Sequence, residues 1–482
     1  MAGIGERARS TPDATAIIEF GHAVNFAELD DRQQVLAGAL RSAGLLPRDR
    51  IAVWSANRRE ALEVSIGALR TGIVPVPIHS VLTEPEADYI LEDSQVRWLF
   101  ADRTVEGRPS LERVVTFGDA YERLLHEAKP AKIADFALGR PMHYTSGTTG
   151  SPKGVWVPPL NESNAALISE RFRTLWNLTP DDVHLVCSPL SHSAPQRFAT
   201  RTLEAGGSVV IQKKFDAEET LAATELFGAT TMFMVPTHLE RILGLEPKVL
   251  KRHDLSTMRL LAHAGAPIRE ETKRRAIDLY PRGSVWEFYG STEGQATRIS
   301  TDEWLEKPGS VGKPLADVTI TIRDDDMEEL PPDEVGDIWV TDPRVEHFEY
   351  WRDRRKTEGA WDDGAFTVGD MGWLDADGYL FLAGRKNDML ISGGINVYPQ
   401  EVEAALVQHP AVQEALVYGA AHPEWGQEVR ALVVPAFGQP IDPDALRGWL
   451  RERLAGYKCP RAIEVVEDLP RTPTGKPKRT PI

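Results

Sequence analysis

Short apolar runs alternate with helically spaced apolar positions along the first hundred residues. Thr15-Ala-Ile-Ile-Glu-Phe20 reads as a strand, and Phe26 to Gly44 carries its apolar residues at helical spacing. Ile51-Ala-Val-Trp54 is again strand-like, Ala61 to Thr71 is helical, and Ile73-Val-Pro-Val-Pro77 is extended. The alternation recurs with strand Ser208 to Gln212, helix Ala217 to Phe227 and strand Thr231 to Val235. Strands alternating with helices predict a parallel or mixed α/β sheet.

Beyond residue 310 the texture becomes β-rich. Val318 to Ile322 and Gly336 to Val340 are strand-like and flank a turn cluster, Asp324 to Asp333. A charged junction, Gly384-Arg-Lys-Asn-Asp388, precedes about 95 residues of small α/β pattern. There the spacing predicts helix 400–408, strands 412–418 and 429–435, helix 443–454 and strand 462–466. The expected fold is α/β: a large N-terminal domain (1–384) of mixed α/β sheets with a β-rich subdomain, a hinge at 385–388, and a small mobile α/β C-terminal domain (389–482). The tail from Arg471 to Arg479 is basic and proline-rich.

Charge narrows the partners. Lys and Arg total 55 against 72 Asp and Glu, a net −17. Such a chain repels nucleic acid and anionic membranes at long range, so an anionic substrate needs a local cationic site. Cys187 and Cys459 are the only cysteines, which excludes a disulfide framework or cysteine metal spacing. No secretory h-region opens the sequence and no apolar run reaches the roughly 18 residues of a membrane span. The expectation is a cytoplasmic protein, with its oligomeric state open.

The densest chemistry lies in Tyr144-Thr-Ser-Gly-Thr-Thr-Gly-Ser-Pro-Lys-Gly154. It lacks the Gly-Lys-Ser/Thr of a Walker A loop. It nevertheless has what a phosphate cradle needs: glycines that let the backbone approach an anion, hydroxyl donors at Thr145, Ser146, Thr148 and Thr149, and one point charge at Lys153.

This word resembles the signature loop of the adenylate-forming superfamily, which includes acyl-CoA synthetases, peptide-synthetase adenylation domains and luciferases. Further words agree in order: Gly265-Ala-Pro267, Tyr289-Gly-Ser-Thr-Glu-Gly294, Val368-Gly-Asp370, Gly384-Arg385 with Ser392-Gly-Gly394, and Pro470 to Lys476. The resemblance covers about residues 12 to 480 and implies ATP, Mg²⁺ and CoA as cofactors and co-substrates. It implies that Thr145, Ser146, Gly147, Thr148, Thr149 and Lys153 hold the β- and γ-phosphates and that Thr292 holds the α-phosphate. Glu293 would hold Mg²⁺, a hard cation suited to carboxylate oxygen. Tyr289 would stack on adenine opposite Gly265, Ala266 and Pro267. Asp370 would accept from the ribose hydroxyls, with Arg385 assisting. Lys476 would be the catalytic lysine of adenylation, and His192 would lie between carboxylate and thiol. The expected acid pocket comprises His192, Gln196, Arg197, His238, His263, Gly290 and Arg298.

Gly393, Gly394 and Asn396, with the His422 to Glu428 segment, resemble CoA ligases. Three departures stand out: Asn387 at the hinge, Ser191 where an aromatic often precedes the histidine, and Pro158-Pro159 after the phosphate loop. The expected activity is ATP-dependent formation of an acyl-adenylate followed by transfer to CoA. Two alternatives stay open: another acceptor, either a carrier protein or an amine, and ATP-dependent activation of nitrite to diazotise an arylamine. Gln196, Arg197 and Arg298 point to a small polar or aromatic acid over a long chain.

Overall fold

The computed structural model describes the chain except residues 1–2, 20, 106–107, 109, 146–151, 344–346, 393–394, 423–425, 472–476 and 480–482. The fold resolves into two compact units. The first comprises Met1–Glu306 with Pro343–Gly359, and the second Lys307–Asp342 with Ala360–Ile482. The segment 385–388, expected as a hinge, lies inside the second unit.

The first unit holds two largely parallel sheets. A seven-stranded sheet runs in the order Val285–Glu287, Leu260–His263, Thr231–Met234, Val183–Val186, Ser208–Ile211, Thr15–Glu19, His22–Asn25. Its last pair is antiparallel and the others parallel. Every residue of Thr231–Met234 and Leu260–His263 is buried. That explains their unbroken apolar runs, because helices cover both faces of a parallel sheet. The second sheet is four-stranded and parallel: Val74–His79, Arg50–Ser55, Trp98–Ala101, Arg113–Thr116.

Local chemistry sets the helix ends. Asn25 caps Phe26–Ser42 by accepting from the Glu28 amide at 2.8 Å, and Asp216 caps Ala217–Phe227 in the same way. Helix Ser193–Ala205 stops at Gly206, whose φ of +93° suits glycine; a Cβ there would also lie 2.5 Å from Arg7 Nε.

The second unit is β-rich first and mixed later. Gly336–Thr341 is flanked by Thr319–Arg323, Asp370–Leu374 and Ala365–Phe366 in an antiparallel sheet. The later sheet is built on the hairpin Val412–His422 with Gly426–Pro435. Both strands outrun the expected 412–418 and 429–435. Their distal halves are polar or small, so the pairing through Ala420↔Glu428 and His422↔Gly426 leaves little apolar trace in sequence. Among the described residues no helix is long and apolar enough to cross a membrane.

Candidate active site

Four expected segments of the first unit leave the C-terminal ends of neighbouring parallel strands. The chain runs from Val183–Val186 to His192, from Thr231–Met234 to His238, from Leu260–His263 to Gly265–Pro267, and from Val285–Glu287 to Tyr289–Glu293. That edge is where open α/β sheets hold ligands.

The phosphate loop is presented by an antiparallel pair, His143–Thr145 with Lys153–Trp156, in which Thr145 faces Lys153. Ser146, Gly147, Thr148 and Thr149 lie outside the described residues. The flanks are pinned. The Tyr144 hydroxyl donates to Asp93 at 2.7 Å and the Tyr89 hydroxyl to the Pro152 carbonyl at 3.0 Å. Burial and the Asp93 bond raise the Tyr144 phenol well above its usual range. Lys153 Nζ lies 3.5 Å from Asp353.

The Tyr289–Gly294 word forms a tight turn closed by pairing of Gly290 with Gln295. A Cβ at Gly290 would sit 2.7 Å from Gln295 Cα, so only glycine fits. Ser291 Oγ accepts from the Glu293 amide at 3.2 Å. Arg140 donates to the carbonyls of Thr292 and Glu293 at 2.6 and 2.9 Å. Glu293 is buried, and its Oε1 accepts from the Tyr350 hydroxyl at 2.9 Å. Tyr350 also pairs with Val155 on the second hairpin strand, and Arg140 stands just before the first. Arg140 and Tyr350 thus tie the signature turn to the phosphate hairpin. Tyr289 is half-buried, whereas Gly265, Ala266 and Pro267 are exposed, with Gly265 at φ +89°.

His192 is exposed at the start of helix Ser193–Ala205, edge-on to His79 at 5.3 Å. The other expected pocket residues diverge. Gln196 is buried, and its Oε1 has no hydrogen-bond partner among the described residues. Arg197 is half-buried. His238 stacks on Phe215 at 3.9 Å, and burial pushes it down to about 4. His263 is fully buried, 3.9 Å from Glu287, which pairs with buried Lys273. Burial holds His263 well below the usual imidazole range. Arg298 donates to the Leu175 carbonyl and lies 5.1 Å over Trp286.

In the second unit, strands Asp370–Leu374 and Leu380–Arg385 set Asp370 opposite Arg385, joined at 3.0 Å. Lys386 pairs with Asp325 and Asp337 at 2.7 and 2.6 Å. Lys476 lies outside the described residues, but its flanks are held. Arg471 pairs with Glu414 and, at 3.3 Å, with Asp468. Arg479 reaches Asp388 at 3.4 Å and also pairs with Glu403. Gly393 and Gly394 lie outside the described residues as well.

Arg140, Tyr350 and Ser291 were missed in sequence. Ser291 lies within the recognised word; the other two act across 152 and 57 residues, and no local pattern marks them. Among the described residues no group of three or more His, Cys, Asp or Glu could hold a metal alone. Glu293 does fit Mg²⁺ in partnership with phosphates: it is a buried hard donor with one oxygen taken by Tyr350.

Comparison with known proteins identifies the family. The model of the AMP-binding enzyme family matches residues 4–347, and that of the AMP-binding enzyme C-terminal domain matches 401–476. Feruloyl-CoA synthase of Amycolatopsis sp is 36% identical over 486 residues, covering 98% of this chain and 95% of that protein. A fatty acid–acyl-carrier-protein ligase of Streptomyces coeruleorubidus is 33% identical, covering 97% and 93%. Among solved structures, o-succinylbenzoate coenzyme A synthetase from Bacillus subtilis superposes with a TM-score of 0.86 at 28% identity, covering 99% of this chain and 97% of that one. That enzyme was solved with its acyl-adenylate intermediate and, separately, with ATP and a magnesium ion.

Proposed function

The chain belongs to the family of AMP-binding enzymes, and on that premise we propose how its residues carry out an ATP-dependent, AMP-forming ligation of a carboxylic acid to coenzyme A. In the first step a carboxylate oxygen attacks the α-phosphorus of ATP. The bond to the β-phosphate oxygen breaks and pyrophosphate leaves. In the second step the thiol sulfur attacks the acyl carbon, AMP departs with its phosphate oxygen, and the thiol proton passes to solvent.

Neither step has covalent help from the protein, so positioning and charge neutralisation dominate. Thr145 to Lys153 take the β- and γ-phosphates, and Thr292 the α-phosphate. Glu293 would hold Mg²⁺, which neutralises phosphate charge when bound. Tyr289 stacks on adenine beside Gly265–Pro267. Asp370 accepts from the ribose hydroxyls, and the Arg385 guanidinium orients its carboxylate. Lys476 stabilises charge at the α-phosphate in the first step. His192 sits at the junction of acid and thiol.

The observation that carries this reading is the double tie of Arg140 and Tyr350. It fixes the Thr292–Glu293 turn against the phosphate hairpin. The relatives named as CoA synthases and the acyl-adenylate complex of the Bacillus enzyme support the same chemistry.

The test is pyrophosphate release with ATP and Mg²⁺ across fatty, aromatic and dicarboxylic acids, each with and without CoA. Turnover that requires an acid and yields an acyl-CoA is expected. Release indifferent to CoA moves the acceptor to a carrier protein or amine, which the carrier-protein ligase among the relatives also supports. Release that needs nitrite and an arylamine instead of an acid overturns the reading.

A further inference from the structure

The helix Ser193–Ala205, which begins beside His192, carries Arg197 and Arg201 one turn apart. Their surroundings differ. Arg201 is buried and paired with Glu204. Glu204 also accepts from Ser169 at 2.6 Å and from the Ala137 amide at 2.9 Å, so its oxygens are committed. Arg197 is half-buried and has no hydrogen bond or ion pair with any described residue.

The groups around Arg197 add positive charge. Burial, then Arg140 and Arg201, push its guanidinium down to about 9. After burial, the charges that keep His143 deprotonated are those of His192, Arg197 and Arg140. In the chain Arg197 follows His192 by five residues on the helix that starts there, and Arg140, which adds to the positive charge it feels, faces the Thr292 and Glu293 carbonyls. Even in a chain with net charge −17, no acid among the described residues pairs with this guanidinium. Such a group is costly to hold unless a ligand supplies the missing anion. Its planar fork matches a carboxylate, and Gln196 beside it keeps a buried acceptor with no partner among the described residues on the same helix.

We propose that Arg197 binds a second anionic group on the acid substrate, so that the enzyme prefers acids bearing a further carboxylate or comparable oxyanion. This rests on the acid-ligase reading and names the class of acid. Arg197 would be a specificity residue: it grips the far end of the acid, leaving the reacting carboxylate to the phosphate site.

The experiment compares kcat/KM for matched acids in acid-dependent pyrophosphate release, which needs no acceptor. Each dicarboxylic acid is paired with its half-amide of equal length, in the intact protein and in Arg197→Gln and Arg197→Lys. The expected result is that the diacid to half-amide ratio falls by about 10- to 150-fold in Arg197→Gln, the range of a charge-assisted bond. Arg197→Lys should recover part of it. Equal loss for both acids would mean that Arg197 is structural. A parallel rise in the KM for ATP would assign it to the polyphosphate instead. Either result overturns the proposal. Half-amides turning over as well as diacids in the unaltered enzyme would sink it too while leaving the ligase intact. No release with any acid would instead strike the ligase reading itself.

Discussion

The two units hold their shares of the chemistry by different means. In the first, the Thr292–Glu293 turn is set by buried or half-buried hydrogen bonds from Arg140 and Tyr350 and by a glycine that no other residue could replace. In the second, Asp370, Lys386, Arg471 and Arg479 are held mainly by ion pairs, several half-exposed: the Arg385 side chain is 43% exposed and that of Lys386 41%. Buried hydrogen bonds are costly to break because each leaves a desolvated group behind. Half-exposed ion pairs contribute little net and can be broken and remade. By that measure the Thr292–Glu293 turn should tolerate the loss of one partner less well than the Asp370 and Lys386 contacts do.

Lys476→Ala should separate the two most sharply. Adenylation should drop by about 10³-fold, since a charge aimed at the transition state is lost. Thioester formation from supplied acyl-adenylate should persist. Equal loss of both half-reactions, measured by single-turnover assay, would end the assignment of Lys476 to the first step. Next comes a stability effect rooted in the first unit. Burial pushes His143 down to about 3 and His184 and His238 to about 4. Unfolded imidazoles take up protons near 6.5, so the unfolded state binds more protons below that pH. The stability these histidines contribute is complete above about 6.5 and is lost as pH falls toward 4. The slope is about 1.4 kcal/mol per pH unit for each histidine. Thermal unfolding that stays flat from pH 6.5 to 4.5 would contradict their burial in the neutral form. Tyr350→Phe is smaller again. It strips Glu293 Oε1 of its donor and should cost about tenfold in kcat, with the Mg²⁺ requirement shifted upward. An unchanged Mg²⁺ titration would remove Tyr350 from the positioning of Glu293.

How much was legible in sequence divides along similar lines. Arg50–Ser55 and Thr231–Met234 announced themselves because buried parallel strands are nearly continuous apolar runs, and Thr15–Glu19 through its buried Ala16-Ile17 with Ile18. The short, polar His22–Asn25 carried no such run and appears only through its pairing with Thr15–Glu19. The signature words were legible because the chemistry needs specific residues close together. Arg140, Tyr350 and the Arg201–Glu204 pair were not, since what matters is which distant group each side chain meets. Sequence also placed His263 and Arg298 in one pocket with Arg197. The structure buries His263 beside Lys273–Glu287 and turns Arg298 to the Leu175 carbonyl. A pattern can nominate a polar residue, but only packing shows which way it faces.

Two substitutions in the second unit probe the other side of the comparison. Asp370→Asn keeps the shape but weakens acceptance from two hydroxyls. It should raise the KM for ATP by about tenfold, with little change in kcat at saturation. An unaltered ATP affinity by calorimetry would remove Asp370 from the nucleotide site. The smallest effect is expected at Arg479. Its guanidinium joins Asp388 to Glu403, and the Val417 carbonyl accepts from it at 3.0 Å. Glu403 is largely buried and also accepts from the Val417 amide at 2.7 Å, so it is not left bare when Arg479 is lost. Arg479→Gln should slow adenylation by only about two- to fivefold, in keeping with a partly exposed pair. The unaltered enzyme should lose a similar fraction as salt rises from 0.05 to 0.5 M, because such pairs are screened over about a Debye length. The variant should show less of that salt dependence. If high salt slows both equally, the ion pairs of Arg479 with Asp388 and Glu403 do not set the rate.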